Sequence, residues 1–157
     1  SPLVVNAMLA SSVIGIMIGA FLSGRKSDNF IRINNIYTGS TMITICAILV
    51  PIISSLSFIP NSSALIVVTA VILLFGVGAG MMIVPLNALM QAHSPEDGLG
   101  SMLAGKNWLQ NIAMIGLLAL TMLLAKLSFD SQFILYLNAA IAVVGFTFVL
   151  KKLKTIL

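Results

Sequence analysis

Five long apolar runs, separated by short polar stretches, account for most of this chain. The first covers residues 3–23 and stops at Gly24-Arg25-Lys26. The second, 36–58, ends before Pro60-Asn61-Ser62-Ser63, and the third covers 64–91. The last two cover 102–127 and 132–150, closed by Lys151-Lys152-Leu153-Lys154. A bilayer core about 30 Å thick is crossed by roughly 20 apolar residues in a helix, and each run is about that long or longer. Barrel strands read as short alternating segments, whereas these runs are continuous. The pattern predicts an all-α, polytopic helical bundle of five transmembrane helices.

Composition strengthens the same reading. Of 157 residues, 59% are apolar and 8% charged, against about 25% charged in a soluble domain. Mean hydropathy is +1.13. So few charges exclude an ordinary soluble domain, and with it a nucleic-acid partner, although the isoelectric point is near 9.6. One cysteine, Cys46, lies inside an apolar run, so neither a disulfide framework nor a metal site is expected. One histidine and four acids supply too few groups for a catalytic constellation, and no enzyme or cofactor is expected.

Charge placement sets the expected orientation. Arg25, Lys26 and Arg32 follow the first run, Lys151, Lys152 and Lys154 follow the fifth, and Lys106 begins the fourth on that same side. Only Lys126 falls opposite. Seven basic residues against one place the charged loops and the C-terminus in the cytoplasm. The N-terminus then starts outside, with Ser1-Pro2 and no basic stretch typical of a signal peptide. An odd number of spans beginning outside reads as the tail of a longer protein, with a preceding half missing.

Polar and small residues are not scattered along the runs. Ala7, Ser11, Gly15, Gly19 and Ser23 recur at intervals of four, which makes one stripe for close helix packing. In the third run Thr69, Gly76, Gly80, Asn87 and Gln91 fall within about 60° of one another around a helix. The glycines read as close packing or a hinge, the two amides as cavity lining or packing in equal measure. Pro85 lies on the other side and is a candidate kink. In the fourth run Lys106, Asn107, Gln110 and Asn111 fill an arc of about 140°, opposite Trp108, Leu109 and Ile112. A polar arc at membrane depth either bonds neighbouring helices or faces a hydrated pathway, and four convergent residues favour the pathway.

The remaining features have plainer readings. Ser94-Pro95-Glu96-Asp97 reads as an N-cap, a first-turn proline and first-turn acids, and His93 as a solvated loop residue. Asn138 shares a face with Ala142 and Gly145 and reads as packing.

Three stretches carry a resemblance to a known family: 19–26 (Gly-Ala-Phe-Leu-Ser-Gly-Arg-Lys), 84–91 (Val-Pro-Leu-Asn-Ala-Leu-Met-Gln) and 104–111 (Ala-Gly-Lys-Asn-Trp-Leu-Gln-Asn). With them the chain resembles the C-terminal half, helices eight to twelve, of a major facilitator superfamily transporter. It is most similar to the bacterial lysophospholipid transporter family. That family includes free-standing members and members fused to acyltransferase and acyl-carrier-protein synthetase domains. Lys106 and Gln110 depart from its pattern, which has neutral, small or acidic residues there. The resemblance implies movement of lysophospholipid across the bacterial inner membrane, with a missing N-terminal half as partner. On that reading Asn87, Gln91, Lys106, Asn107, Gln110 and Asn111 are expected to line the substrate wall near the cytoplasmic end. Arg25 and Lys26 fall to the cytoplasmic gating loop, Gly15, Gly19, Gly76 and Gly80 to helix packing or a hinge, and the glycine-rich third run to a close sliding contact. Three other readings stand beside it. One is a proton-coupled carrier of a small solute or drug, whose acid would lie in the missing half. Another is the non-transporting membrane domain of a lipid-remodelling acyltransferase. A half-gene product without activity is a third.

Overall fold

A computed structural model of the chain describes residues 2–25, 33–55, 61–95 and 98–156. Five helices make it up: α1 (Pro2–Gly24), α2 (Ile33–Ser55), α3 (Asn61–Ala92), α4 (Leu99–Lys126) and α5 (Ser131–Ile156). All five are long and apolar enough to cross a membrane. No strand occurs among the described residues.

Helix ends differ from the apolar runs where the backbone continues into polar sequence. α5 runs through Lys151 to Ile156, because lysine ends an apolar span without opposing helix formation. The expected cap at Ser94 is not the one that forms. α4 starts four residues later, with Gly98 as its N-cap and no side-chain cap bond. The Gly98 N–H donates to the Pro95 carbonyl at 2.9 Å, and the Ser94 hydroxyl turns toward that same carbonyl at 3.4 Å. Pro95 thus opens a turn that precedes the helix instead of entering it. At the other end of α4, Ser128 takes a left-handed conformation with φ 60°. Its N–H bonds the Ala125 carbonyl and that of Phe129 bonds Leu124, the paired closure that occupies orphan carbonyls at a helix C-terminus. Phe129 then stacks on Phe133 at 5.1 Å, which ties this turn to α5.

α3 is the central element. It lies parallel to α1, and the two backbones meet through glycine. A Cβ at Gly15 would strike the Leu73 carbonyl, and one at Gly19 the Val77 carbonyl. From the other side, Gly76 faces the Ser12 carbonyl and Gly80 that of Ile16. No side chain fits between helices this close, so dispersion contacts between backbones hold the pair. α2 runs antiparallel to α3 on another face, where a Cβ at Gly39 would stand 2.6 Å from the Gly78 carbonyl. Both internal prolines, Pro51 in α2 and Pro85 in α3, are buried and the helices continue through them. α5 packs on α2. α4 is the exception, since none of its residues is buried.

Candidate functional site

α3 and α4 approach at the ends joined by the 93–98 connection, and one side-chain bond links them. The Lys106 ammonium donates to the Asn87 side-chain carbonyl at 2.6 Å. Asn87 reaches it from the last turns of the glycine-bearing helix, Lys106 from two turns inside α4. Both residues are half-buried. A lysine has three donors and no acceptor. The amide takes one of them, and no Asp or Glu is paired with Lys106 among the described residues.

The other amides do not join this pair. Gln91 lies one turn beyond Asn87 and is exposed, as are Asn107, Gln110 and Asn111 on α4. The apolar side of α4 is equally open, with Trp108 68% exposed. Among the described residues none buries any position of α4, so apart from Lys106 both its polar and its apolar side are largely open.

A second polar contact, not expected from the sequence, ties three helices near the start of α2. Asn35 donates its amide N–H to the Ser23 hydroxyl at 3.1 Å, and Ser23 donates to the Met81 carbonyl at 3.4 Å. The signal for Asn35 was its place in a polar Asn-Asn pair just before an apolar run, which spacing alone does not distinguish from a loop. The Arg25 guanidinium lies 5.8 Å from the centre of the Phe21 ring, a cation–π contact. Arg25 itself is exposed. Lys26, Asp28, Arg32, Glu96 and Asp97 lie outside the described residues, as do the side chains of Lys152 and Lys154. His93 is exposed and donates from Nδ1 to the Leu89 carbonyl at 2.9 Å. No group of three or more His, Cys, Asp or Glu side chains suited to a metal ion occurs among the described residues.

On a second face of the bundle, α2, α3 and α5 enclose a cleft of about 200 Å³. Met82 borders it on α3, and Ala142, Gly145 and Val149 on α5. Its hydroxyls, Ser40 and Thr44, are turned back onto their own helix, to the carbonyls of Ile36 at 2.7 Å and Ser40 at 2.9 Å.

The chain is 30% identical over 128 residues to proteins named lysophospholipid transporter LplT. These come from Yersinia pestis (strain Pestoides F) and Yersinia pseudotuberculosis serotype O:3 (strain YPIII), among others. The match takes in 81% of this chain and 28% of each relative, so the chain spans little more than a quarter of their length. No family model matches the chain, and no solved structure matches it.

Proposed function

We propose that this chain is the C-terminal part of a major facilitator superfamily transporter that moves lysophospholipid across the bacterial inner membrane. One observation carries the reading: four-fifths of the chain aligns with proteins named for that activity, at 30% identity. The five apolar helices fit the same role, and the basic loops put the C-terminus in the cytoplasm.

In this proposal Lys106 and Asn87 form the anionic-headgroup subsite. The two ammonium donors that Asn87 leaves open are directed to a phosphate, to which an ionised donor makes a charge-assisted bond. Gln91, Asn107, Gln110 and Asn111 form the rest of a polar wall and bond the glycerol and headgroup, while the apolar side of α4 accepts the acyl chain. The missing N-terminal half supplies the facing wall, since a polar helix face turned to hydrocarbon is costly. The two halves rock about a midplane site, and the α1–α3 glycine contact lets backbones slide without side chains catching.

The test is uptake of labelled lysophosphatidylethanolamine by spheroplasts carrying the full-length protein. Lys106→Ala lowers uptake by about tenfold at unchanged protein level, as removal of one charged hydrogen bond does. Unchanged uptake removes Lys106 from the site. A full-length protein that moves no lysophospholipid overturns the transport reading.

A further inference from the structure

Hydroxyls inside α1 and α2 bond carbonyls one turn back in their own helix: Ser11 to Met8, Thr38 to Asn34, Ser40 to Ile36 and Thr44 to Ser40. Ser23 differs. Its hydroxyl donates across to α3, to the Met81 carbonyl at 3.4 Å, and accepts from the Asn35 amide of α2 at 3.1 Å. Met81 stands four residues before Pro85. In a regular helix the N–H of residue 85 would bond the carbonyl of residue 81. Proline has no N–H, and its ring crowds that carbonyl as well. At membrane depth a carbonyl freed in this way needs a donor from a neighbouring helix. Ser23 is that donor. It reaches the carbonyl because Gly19, one turn earlier, lets α1 lie on the α3 backbone: a Cβ there would stand 2.9 Å from the Met81 nitrogen.

We propose that Ser23 and Asn35 are positioning residues for the Lys106–Asn87 subsite. They supply the hydrogen bond that Pro85 removes, and so set the direction of the last two turns of α3. Those turns carry Asn87 and Gln91. Pro85 and Asn87 stand about 160° apart around the helix, so a bend at the proline moves Asn87 almost within the plane of bending. The amide then travels toward Lys106 or away from it. The Ser23 bond holds the position in which Asn87 accepts from Lys106 at 2.6 Å. Its 3.4 Å length exceeds the about 2.7–2.8 Å usual between a hydroxyl and an oxygen, so the hold is weak enough to release when α3 bends. Asn35 donates to the Ser23 oxygen, which polarises the hydroxyl and strengthens its bond to α3. The headgroup role of the subsite rests on the transport reading; the relay rests on the gap at Pro85 and on these two bonds.

Hydrogen–deuterium exchange of the full-length protein in nanodiscs, read by mass spectrometry, tests the relay without transport. In Ser23→Ala the amides of 86–92 exchange about threefold faster, as loss of one weak hydrogen bond requires, while those of 70–80 keep their rate. Asn35→Leu gives a smaller rise in the same segment. Pro85→Ala restores the N–H at residue 85, so adding it to either variant returns 86–92 to the native rate. A serine or asparagine needed only for packing would not be rescued in this way. In the uptake assay Ser23→Ala raises KM for lysophosphatidylethanolamine about threefold at unchanged maximal rate, the mark of weakened binding, and Pro85→Ala cancels the rise. Native exchange at 86–92 in both single variants, faster exchange throughout α1 and α3, or a rise that persists beside Pro85→Ala overturns the proposal. So does a local rise in exchange with KM unmoved. A protein that exchanges as expected yet moves no lysophospholipid keeps the relay that places Asn87 and loses only the transport reading.

Discussion

Lys106 is costly for a helix of this kind, because an ammonium at membrane depth needs partners. Its bond to Asn87 meets part of that need, and the coupling between the two residues is testable. Asn87→Leu leaves the cation without this acceptor and lowers stability by about 1–3 kcal/mol. Adding Lys106→Met to that variant recovers most of the loss, since the charge that lacked a partner is gone. Melting of the full-length protein in detergent reads both, and additive losses would show that the bond contributes nothing. Asn87→Asp separates binding from stability: it gives Lys106 a full counter-charge, so the protein melts no lower while lysophospholipid uptake falls. Sequence spacing put each residue on a polar stripe of its own helix. That the two stripes meet at this one pair, leaving Asn107, Gln110 and Asn111 exposed, involves two helices whose relative placement no local pattern states.

Among the helices, α1 and α3 make the tightest contact, and their glycines differ from those of α4. At Gly19 or Gly80 a Cβ would overlap a backbone carbonyl of the facing helix, which no rotamer change relieves. Ala at either position forces the helices apart and costs about 1–3 kcal/mol. At Gly105 and Gly116 in α4 nothing lies within 4 Å, so Ala there is neutral or stabilises by up to about 1 kcal/mol through helix propensity. A thermal scan of the four single variants checks the contrast, and a uniform response would mean that α1 and α3 do not meet through these glycines. The four-residue interval announces a small-residue face. It does not say that α3 lies against α1 with the chains parallel, because that pairing skips the helix between them. α4 illustrates the opposite limit. Its start was misread by four residues because Ser-Pro followed by acids suits a turn as well as a cap, and only the Gly98–Pro95 bond separates the two.

For the whole molecule, the open question in physical terms is what lies against α4. The transport reading predicts water on one side and lipid on the other. In the full-length protein Asn107→Cys and Asn111→Cys therefore react with a membrane-impermeant thiol reagent, while Trp108→Cys does not. Cys46, the one cysteine of this chain, is buried, and any cysteine of the full-length protein outside it is replaced by serine beforehand. Equal protection of all three would place the polar arc in a dry contact and remove the pathway. The number, length and helical nature of the five spans were readable from the sequence alone. They follow from a local requirement, since a chain in hydrocarbon satisfies its backbone within each run and each run matches the bilayer thickness. The contacts between spans were decided only by the tertiary structure: Gly19 on the Val77 carbonyl, Asn35 on Ser23, and Lys106 on Asn87. Lipid is as apolar as the helices it surrounds, so hydrophobicity sets no preference among faces. Steric fit and polar pairing between segments far apart in the chain make that choice.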